Sequence, residues 1–148
     1  MKNIKYGLLG STGKLGREVQ NVFAEHQFQL VFELSLEGET QTDIPQILID
    51  CSLPDNFGNT IALIKKFNCP LIIATTGLSS AQLDTLKILA ETIPVVQSYN
   101  YSLGIQILLK LTKEVQKYVG DWDIEISETH HRFKKDKPSG TAIMIRNA

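Results

Sequence analysis

Two periods of apolar residues alternate along the chain. Ile4 to Leu9, Phe28 to Leu34, Ile47 to Cys51, Leu71 to Ala74 and Ile93 to Val96 are short apolar runs bounded by turn-forming residues, the pattern of buried strands. Between them the spacing lengthens. Leu15, Val19, Val22 and Phe23 form one helical stripe, Ile61, Ile64 and Phe67 a second, and Leu83, Leu86 and Leu89 a third. Strands that alternate with helices at this spacing predict an α/β fold with a parallel sheet. The polar stretch 36–46 reads as a loop bordering a cleft. Ile105, Leu108, Leu109, Thr112, Val115 and Val119 then line one face of a longer helix, after which the period changes again. Asp121 to His130 reads as a strand, with Trp122, Ile124 and Ile126 on its apolar face and Glu125 and Ser127 on the wet one. A last helix opens at Ser139 to Thr141. The division predicted is 1–104 for the first domain and 105–148 for a second α+β domain. That second domain is only begun, because few residues remain to cover the apolar face of its strand. A truncated chain is the expectation.

Chemistry gathers where strands end. Gly10, Gly13 and Gly16 follow the first strand as GxxGxxG and lead into a helix at Lys14 and Leu15. The first two glycines allow tight turning under a pyrophosphate, and Gly16 lets the helix approach the sheet. In this strand–loop–helix context the glycines point to a Rossmann-like dinucleotide site rather than to a turn alone. Lys14 or Arg17 would add charge beside phosphate, or form a solvated helix start. Glu33 stands at the exit of the second strand, where an acid accepts hydrogen bonds from the adenosine ribose, although Ser35 competes for that tip. Asp50 reads more readily as a loop anchor than as a functional carboxylate. Thr75, Thr76 and Gly77 lie at the same sheet edge and suit ribose or carboxamide contacts, against a plain turn. Ser79 and Gln82 fit a capping box.

The densest stretch is Glu125 to Ala142. His130 and His131 would point to opposite faces of a strand, Lys134 and Lys135 carry charge into the following loop, and Pro138-Ser139-Gly140-Thr141 leads into a helix whose free amides suit an anion. An acid beside a carboxylate site is the local prediction. No metal is expected, since adjacent strand histidines diverge and no third ligand falls at a supporting spacing.

Composition narrows the classes without adding chemistry. Lys and Arg number 15 against 16 Asp and Glu, so no basic field speaks for a nucleic-acid partner. No apolar run is long enough for a membrane span, and the start shows no signal-peptide pattern. Cys51 and Cys69 lack a disulfide or metal framework, which leads to an expectation of reduced thiols and a cytoplasmic location.

Four segments in order resemble the 4-hydroxy-tetrahydrodipicolinate reductase family: GLLGSTGKLGR at 7–17, ATTG at 74–77, YNYSLGI at 99–105 and the run from Glu128 to Ala142. The resemblance implies NADPH or NADH as cofactor and a small cyclic dicarboxylate as substrate, reduced to tetrahydrodipicolinate in lysine and diaminopimelate synthesis. It further implies His130 as general acid and Lys134 as the lysine of the His-x-x-x-Lys arrangement. His131, Gly140 and Thr141 would bind substrate; Asn100 and Tyr101 would belong to a hinge facing the cofactor. A complete member would form a homotetramer. The chain departs from the family at Ser35, where an acid is usual, with no Arg or Lys from there to Asp43, and at Lys137, where a small residue is usual. The choice between the two cofactors therefore stays open. A catalytically inactive nucleotide-binding fragment, or a structural remnant, is the alternative reading.

Overall fold

A computed structural model describes residues 4–132, 134 and 137–148. Its contacts divide into two compact units, Met1–Gln97 and Ser98–Ala148. The division expected after residue 104 thus differs from the contact division by the segment 98–104.

The first unit is a six-stranded sheet. Its strands are β1 (Lys5–Leu9), β2 (Gln29–Ser35), β3 (Gly38–Gln41), β4 (Ile47–Asp50), β5 (Leu71–Ile73) and β6 (Val95–Gln97), in the spatial order β3-β2-β1-β4-β5-β6. All neighbours pair in parallel except β2 and β3. The helices α1 (Lys14–Glu25), α2 (Phe57–Phe67) and α3 (Ser80–Leu89) supply the crossovers that parallel strands require. The parallel strands β1, β2, β4 and β5 carry apolar residues on both faces, and the core splits accordingly. Tyr6, Leu8 and Ile49 pack against Val19 and Phe23 of α1, with Tyr6 and Phe23 edge to face at 4.9 Å. Leu9, Phe32, Leu48, Leu71 and Ile73 pack on the opposite face with Leu63, Ile64 and Leu86 from α2 and α3. At roughly 1.5–3 kcal/mol for each large apolar side chain removed from water, these two layers drive the folding of the unit.

Helix boundaries follow local chemistry. Pro54 opens a single 3-10 turn, Pro54–Asn56, that runs into α2, and Asn68 ends α2 in the left-handed region at φ 47°. The box expected at Ser79 forms in full: its hydroxyl accepts from the Gln82 amide, and the Gln82 side chain accepts from the Ser79 amide.

Two expectations need correction. The stretch 36–46 is not all loop, because β3 pairs antiparallel with β2 across the two-residue turn Leu36-Glu37. All four of its residues are exposed, so an edge strand with no buried face left no apolar alternation to read. Conversely, 121–130 carries no strand. Trp122, Ile124 and Ile126 are 73%, 64% and 40% exposed, and among the described residues no second strand offers this segment a ladder.

The second unit contains α4 (Leu103–Gln116) and α5 (Gly140–Arg146). Only Ser139 is buried among its described residues.

Candidate functional site

In the first unit the candidate residues collect at the carboxyl ends of the parallel strands, the edge where ligands of such sheets bind. The loop after β1 is held open by geometry that only glycine satisfies. Gly10 has φ +77°, and a Cβ there would sit 2.7 Å from the Cys51 carbonyl oxygen. A Cβ on Gly16 would come within 2.2 Å of the Gly10 oxygen, so α1 lies directly on the loop. Gln20, one turn further on, donates to the Ser11 carbonyl at 2.9 Å and fixes the loop from the helix side. Gly13 caps α1 without a side chain, and the first turn has no acid. The amides of Lys14 and Leu15 therefore find no acceptor among the described residues, and the positive end of a twelve-residue helix is left for an anion. Ser11 adds an observation independent of spacing. Its hydroxyl is buried yet has no hydrogen-bond partner among the described residues, as fits a loop built to meet an oxygen-rich ligand. These features suit the pyrophosphate of a dinucleotide.

Asp50 organises the neighbouring loops. Fully buried at the end of β4, it accepts from the Ser52 amide (2.8 Å) and hydroxyl (2.5 Å), from the Thr60 hydroxyl of α2 (2.7 Å) and from the Thr75 hydroxyl (3.0 Å). This is the anchoring role expected for it. Thr75 is consequently turned inward, 2% exposed, and its hydroxyl is spent on Asp50 rather than open at the sheet edge. Thr76 and Gly77 remain exposed, with Gly77 at φ +76°. Glu33 is half-buried and accepts from the Thr40 hydroxyl of β3 at 3.2 Å. Ser35, its rival for the ribose position, uses its hydroxyl on the Glu37 amide at 3.1 Å. Burial, reinforced by the Asp50 charge, pushes the Cys51 thiol up to about 11, and burial also raises Cys69. Both shifts favour the protonated thiol.

The second unit assembles its candidates around two side chains. Asn100 donates to the Thr141 hydroxyl at 2.9 Å, accepts from the Ser102 amide at 2.8 Å, and offers its carbonyl to Gln106 of α4 at 2.7 Å. A Cβ on Gly140 would lie 2.6 Å from the Cβ of Tyr99, so glycine is needed for α5 to meet the loop that carries Asn100. Tyr101 is exposed. Glu128 is the other centre. It accepts from the Ser139 amide at 2.8 Å, from the Ser139 hydroxyl at 2.5 Å and from Nε2 of His130 at 2.8 Å. The hydrogen bonds from Ser139 and then His130 hold its carboxyl well below the usual 4.5, at about 2. Ser139 in turn accepts from the Ala142 amide and caps α5. The amides of Gly140 and Thr141 have no acceptor among the described residues. His131 and Arg132 are exposed, while Lys134 is half-buried and its amide bonds the His131 carbonyl at 3.1 Å. Lys135 lies outside the described residues; Lys137 is exposed and precedes Pro138 in a cis peptide.

Neither Glu128 nor the contact of Tyr99 with Gly140 was singled out from the sequence. A signal for the first did exist, since residues two apart in an extended segment share a face and Glu128 and His130 are so spaced. A groove of about 550 Å³ runs between α4 and α5 beside Tyr99, Leu109 and Ile143, but His130, His131 and Lys134 do not line it. Among the described residues no cluster of His, Cys, Asp and Glu is arranged to hold a metal, and no helix is long and apolar enough to cross a membrane.

The parallel sheet, its two helical layers and the glycine loop define a Rossmann-like fold, one suited to a dinucleotide, with further elements attached. Comparison with known proteins makes this specific. Residues 35–101 match the family model "Dihydrodipicolinate reductase, N-terminus", and residues 104–148 match "Dihydrodipicolinate reductase, C-terminus". The chain is 39% identical over 145 residues to the 4-hydroxy-tetrahydrodipicolinate reductase of Thermosipho africanus, covering 98% of this chain and 67% of that protein. It is 38% identical to the enzyme of Rickettsia bellii, covering 96% of this chain and 59% of that one. A solved structure, "Dipicolinate bound Dihydrodipicolinate reductase from Paenisporosarcina sp. TG-14", aligns with a TM-score of 0.69 at 26% identity over 97% of this chain and 64% of that chain. The chain belongs to the dihydrodipicolinate reductase family, a family of NAD(P)H-dependent reductases, and spans about three fifths to two thirds of the length of these relatives.

Proposed function

We propose that the chain carries the active site of a 4-hydroxy-tetrahydrodipicolinate reductase, working in the cytoplasm in lysine and diaminopimelate synthesis. The observation that supports this most is the fixed group formed by Glu128, His130 and Ser139 at the start of α5, in a chain whose first unit presents a free helix N-terminus beside the orphaned Ser11 hydroxyl.

The roles follow from the chemistry of each group. The amides of Lys14 and Leu15, with Gly10 and Gly13 giving close approach, bind the cofactor pyrophosphate. Lys14 adds a cation beside it. Glu33 takes the adenosine ribose, and Thr76, Gly77 and the backbone of Thr75 contact the nicotinamide end; Asn100 and Tyr101 are assigned to the cofactor by the family resemblance. When bound, NADPH or NADH supplies the hydride. The unpaired amides of Gly140 and Thr141, together with His131, hold a carboxylate of the cyclic substrate. Lys134 stabilises the charge that builds on the ring, and His130 delivers a proton to the carbon framework as the ring is reduced. Addition of one hydride and one proton saturates one double bond, and the precursor's hydroxyl leaves as water over the whole reaction. A homotetramer is the assembly we expect of a complete family member.

The test is oxidation of NADPH or NADH that depends on the cyclic dicarboxylate, followed by absorbance, in this chain and in its His130→Gln and Lys134→Met variants. A loss of 100-fold or more, on the order of the contribution of a general acid, supports the roles of both residues. A specific observation favours a second reading, in which the chain binds cofactor without turning over: no apolar side chain is buried among the described residues of the second unit. Cofactor binding with no turnover across pH and protein concentration would establish that reading.

A further inference from the structure

We infer that Glu128 is the positioning residue of His130: its carboxylate takes the Nε2–H of the imidazole, which leaves Nδ1 as the ring nitrogen that hands over the proton. The inference rests on the reductase reading for the destination of that proton, but the arrangement of the pair stands on its own geometry.

Glu128 Oε2 lies 2.8 Å from His130 Nε2. The carboxylate is itself fixed from the other side. Oε1 accepts from the Ser139 amide at 2.8 Å, and Oε2 also accepts from the Ser139 hydroxyl at 2.5 Å. That hydroxyl has no freedom to turn away, because its lone pair receives the Ala142 amide at 3.1 Å. The start of α5 therefore sets the place of the carboxylate, and the carboxylate sets the ring. With its carboxyl held ionised down to about 2, Glu128 is an acceptor only at neutral pH. The proton in the contact must then sit on Nε2, and a neutral His130 is the Nε2–H tautomer with its lone pair on Nδ1. No other partner occupies Nδ1 among the described residues. In the imidazolium, Nδ1–H is thus the proton free to leave, while Nε2–H stays with the carboxylate and preserves the ring's orientation through the transfer. The same device explains why the histidine and the Ser139-Gly140-Thr141 turn come together. One carboxylate ties the acid to the amides that would hold the substrate, so the two keep a common frame.

The alternative is that Glu128 merely secures the turn, with His130 nearby. Nitrogen-15 NMR of histidine-labelled chain separates the two, since the two ring nitrogens report the tautomer directly. The wild-type chain is expected to show neutral His130 as the Nε2–H tautomer. Glu128→Gln presents a donor as well as an acceptor and is expected to abolish that preference. Ser139→Ala removes the hydroxyl but keeps both members of the pair, and is expected to retain it. In turnover, Glu128→Gln is expected to lower kcat by about tenfold or more while KM moves by less than about threefold, the signature of a lost orientation in the transition state. An unchanged tautomer in Glu128→Gln overturns the inference, as does equal loss in Ser139→Ala. Absence of turnover in the wild type beside an Nε2–H tautomer counts against the reductase reading and leaves the contact standing.

Discussion

The two units hold their shape by opposite means. From Tyr6 to Ile93 the first buries sixteen apolar side chains, several of them completely, in layers on both faces of one sheet. In the second, no described apolar side chain is buried, and Trp122, Tyr118 and Leu103 are each more than 70% exposed. Among the described residues, what orders the second unit is polar: Asn100 on Thr141, Glu128 on Ser139 and His130. A sheet with its crossovers is a self-sufficient solution to burying a core. A helix pair and an unpaired segment are not, and their geometry rests on a few directed bonds. The candidate acid thus sits in the less deeply packed unit, while the candidate cofactor loop rides on the unit with the buried core.

The largest effect expected breaks the first unit at its core. Phe32 is 1% exposed and meets Phe67 edge to face at 5.1 Å. Phe32→Ala should cost about 3–5 kcal/mol by denaturant unfolding followed through circular dichroism. Its counterpart in the second unit, Ile124→Ala, removes a side chain that is 64% exposed and should change stability by less than about 0.5 kcal/mol. Equal costs would show that the segment around Ile124 is packed in solution.

Asp50→Asn comes next. An amide puts a donor where one carboxylate oxygen accepted, so at least one of the hydroxyls of Ser52, Thr60 and Thr75 must reverse its hydrogen bond, and the bonds to a carboxylate become bonds to an amide. A loss of about 2–3 kcal/mol is expected, the size for hydrogen bonds to a buried charge. The same variant should free the loops after β4 and β5, seen as faster amide hydrogen exchange at Ser52 and Thr75.

The same contrast explains what could be read from the chain alone. Strands with apolar runs and helices with apolar stripes were legible because each buries a face, and β1, β2, β4, β5 and β6 fall within a residue or two of their expected bounds. β3 was illegible since it buries nothing; only Gly38, at φ +130°, marks its turn. The segment 121–130 misled in the opposite sense. Alternation at Trp122, Ile124 and Ile126 reports a face fit for burial, whereas a strand also needs a neighbour, which is a property of the whole fold. Among the candidate residues, the glycine loop was visible in its spacing, but the inward turn of Thr75 depends on Asp50, twenty-five residues away. Glu128 lay unread beside His130 because their two-residue spacing puts them on one face without saying that they bond.

A smaller effect, confined to the second unit, is expected from Gly140→Ala. The added methyl would lie 2.6 Å from Cβ of Tyr99, and one of the two elements must shift. Overpacking of this kind costs about 1–3 kcal/mol, here spent on separating α5 from the loop that bears Asn100. Exchange at α5 amides should rise, while the circular-dichroism transition of the sheet stays in place. A coincident fall of both would mean that the units unfold together and that the contrast between them is one of packing, not of stability.

The gentlest perturbation is pH. Glu128 has a folded pKa of about 2 against the ordinary 4.5, through its hydrogen bonds from Ser139 and His130. A lowered folded pKa means that the contact contributes its full share above about 4.5 and loses it progressively as pH falls toward 2. Carbon-13 NMR of the Glu128 carboxyl should therefore show no titration near 4.5. Protonation of Glu128 near 4.5 would show that its contact with Ser139 and His130 does not persist in solution, and that the second unit lacks one of the polar contacts which distinguish it from the first.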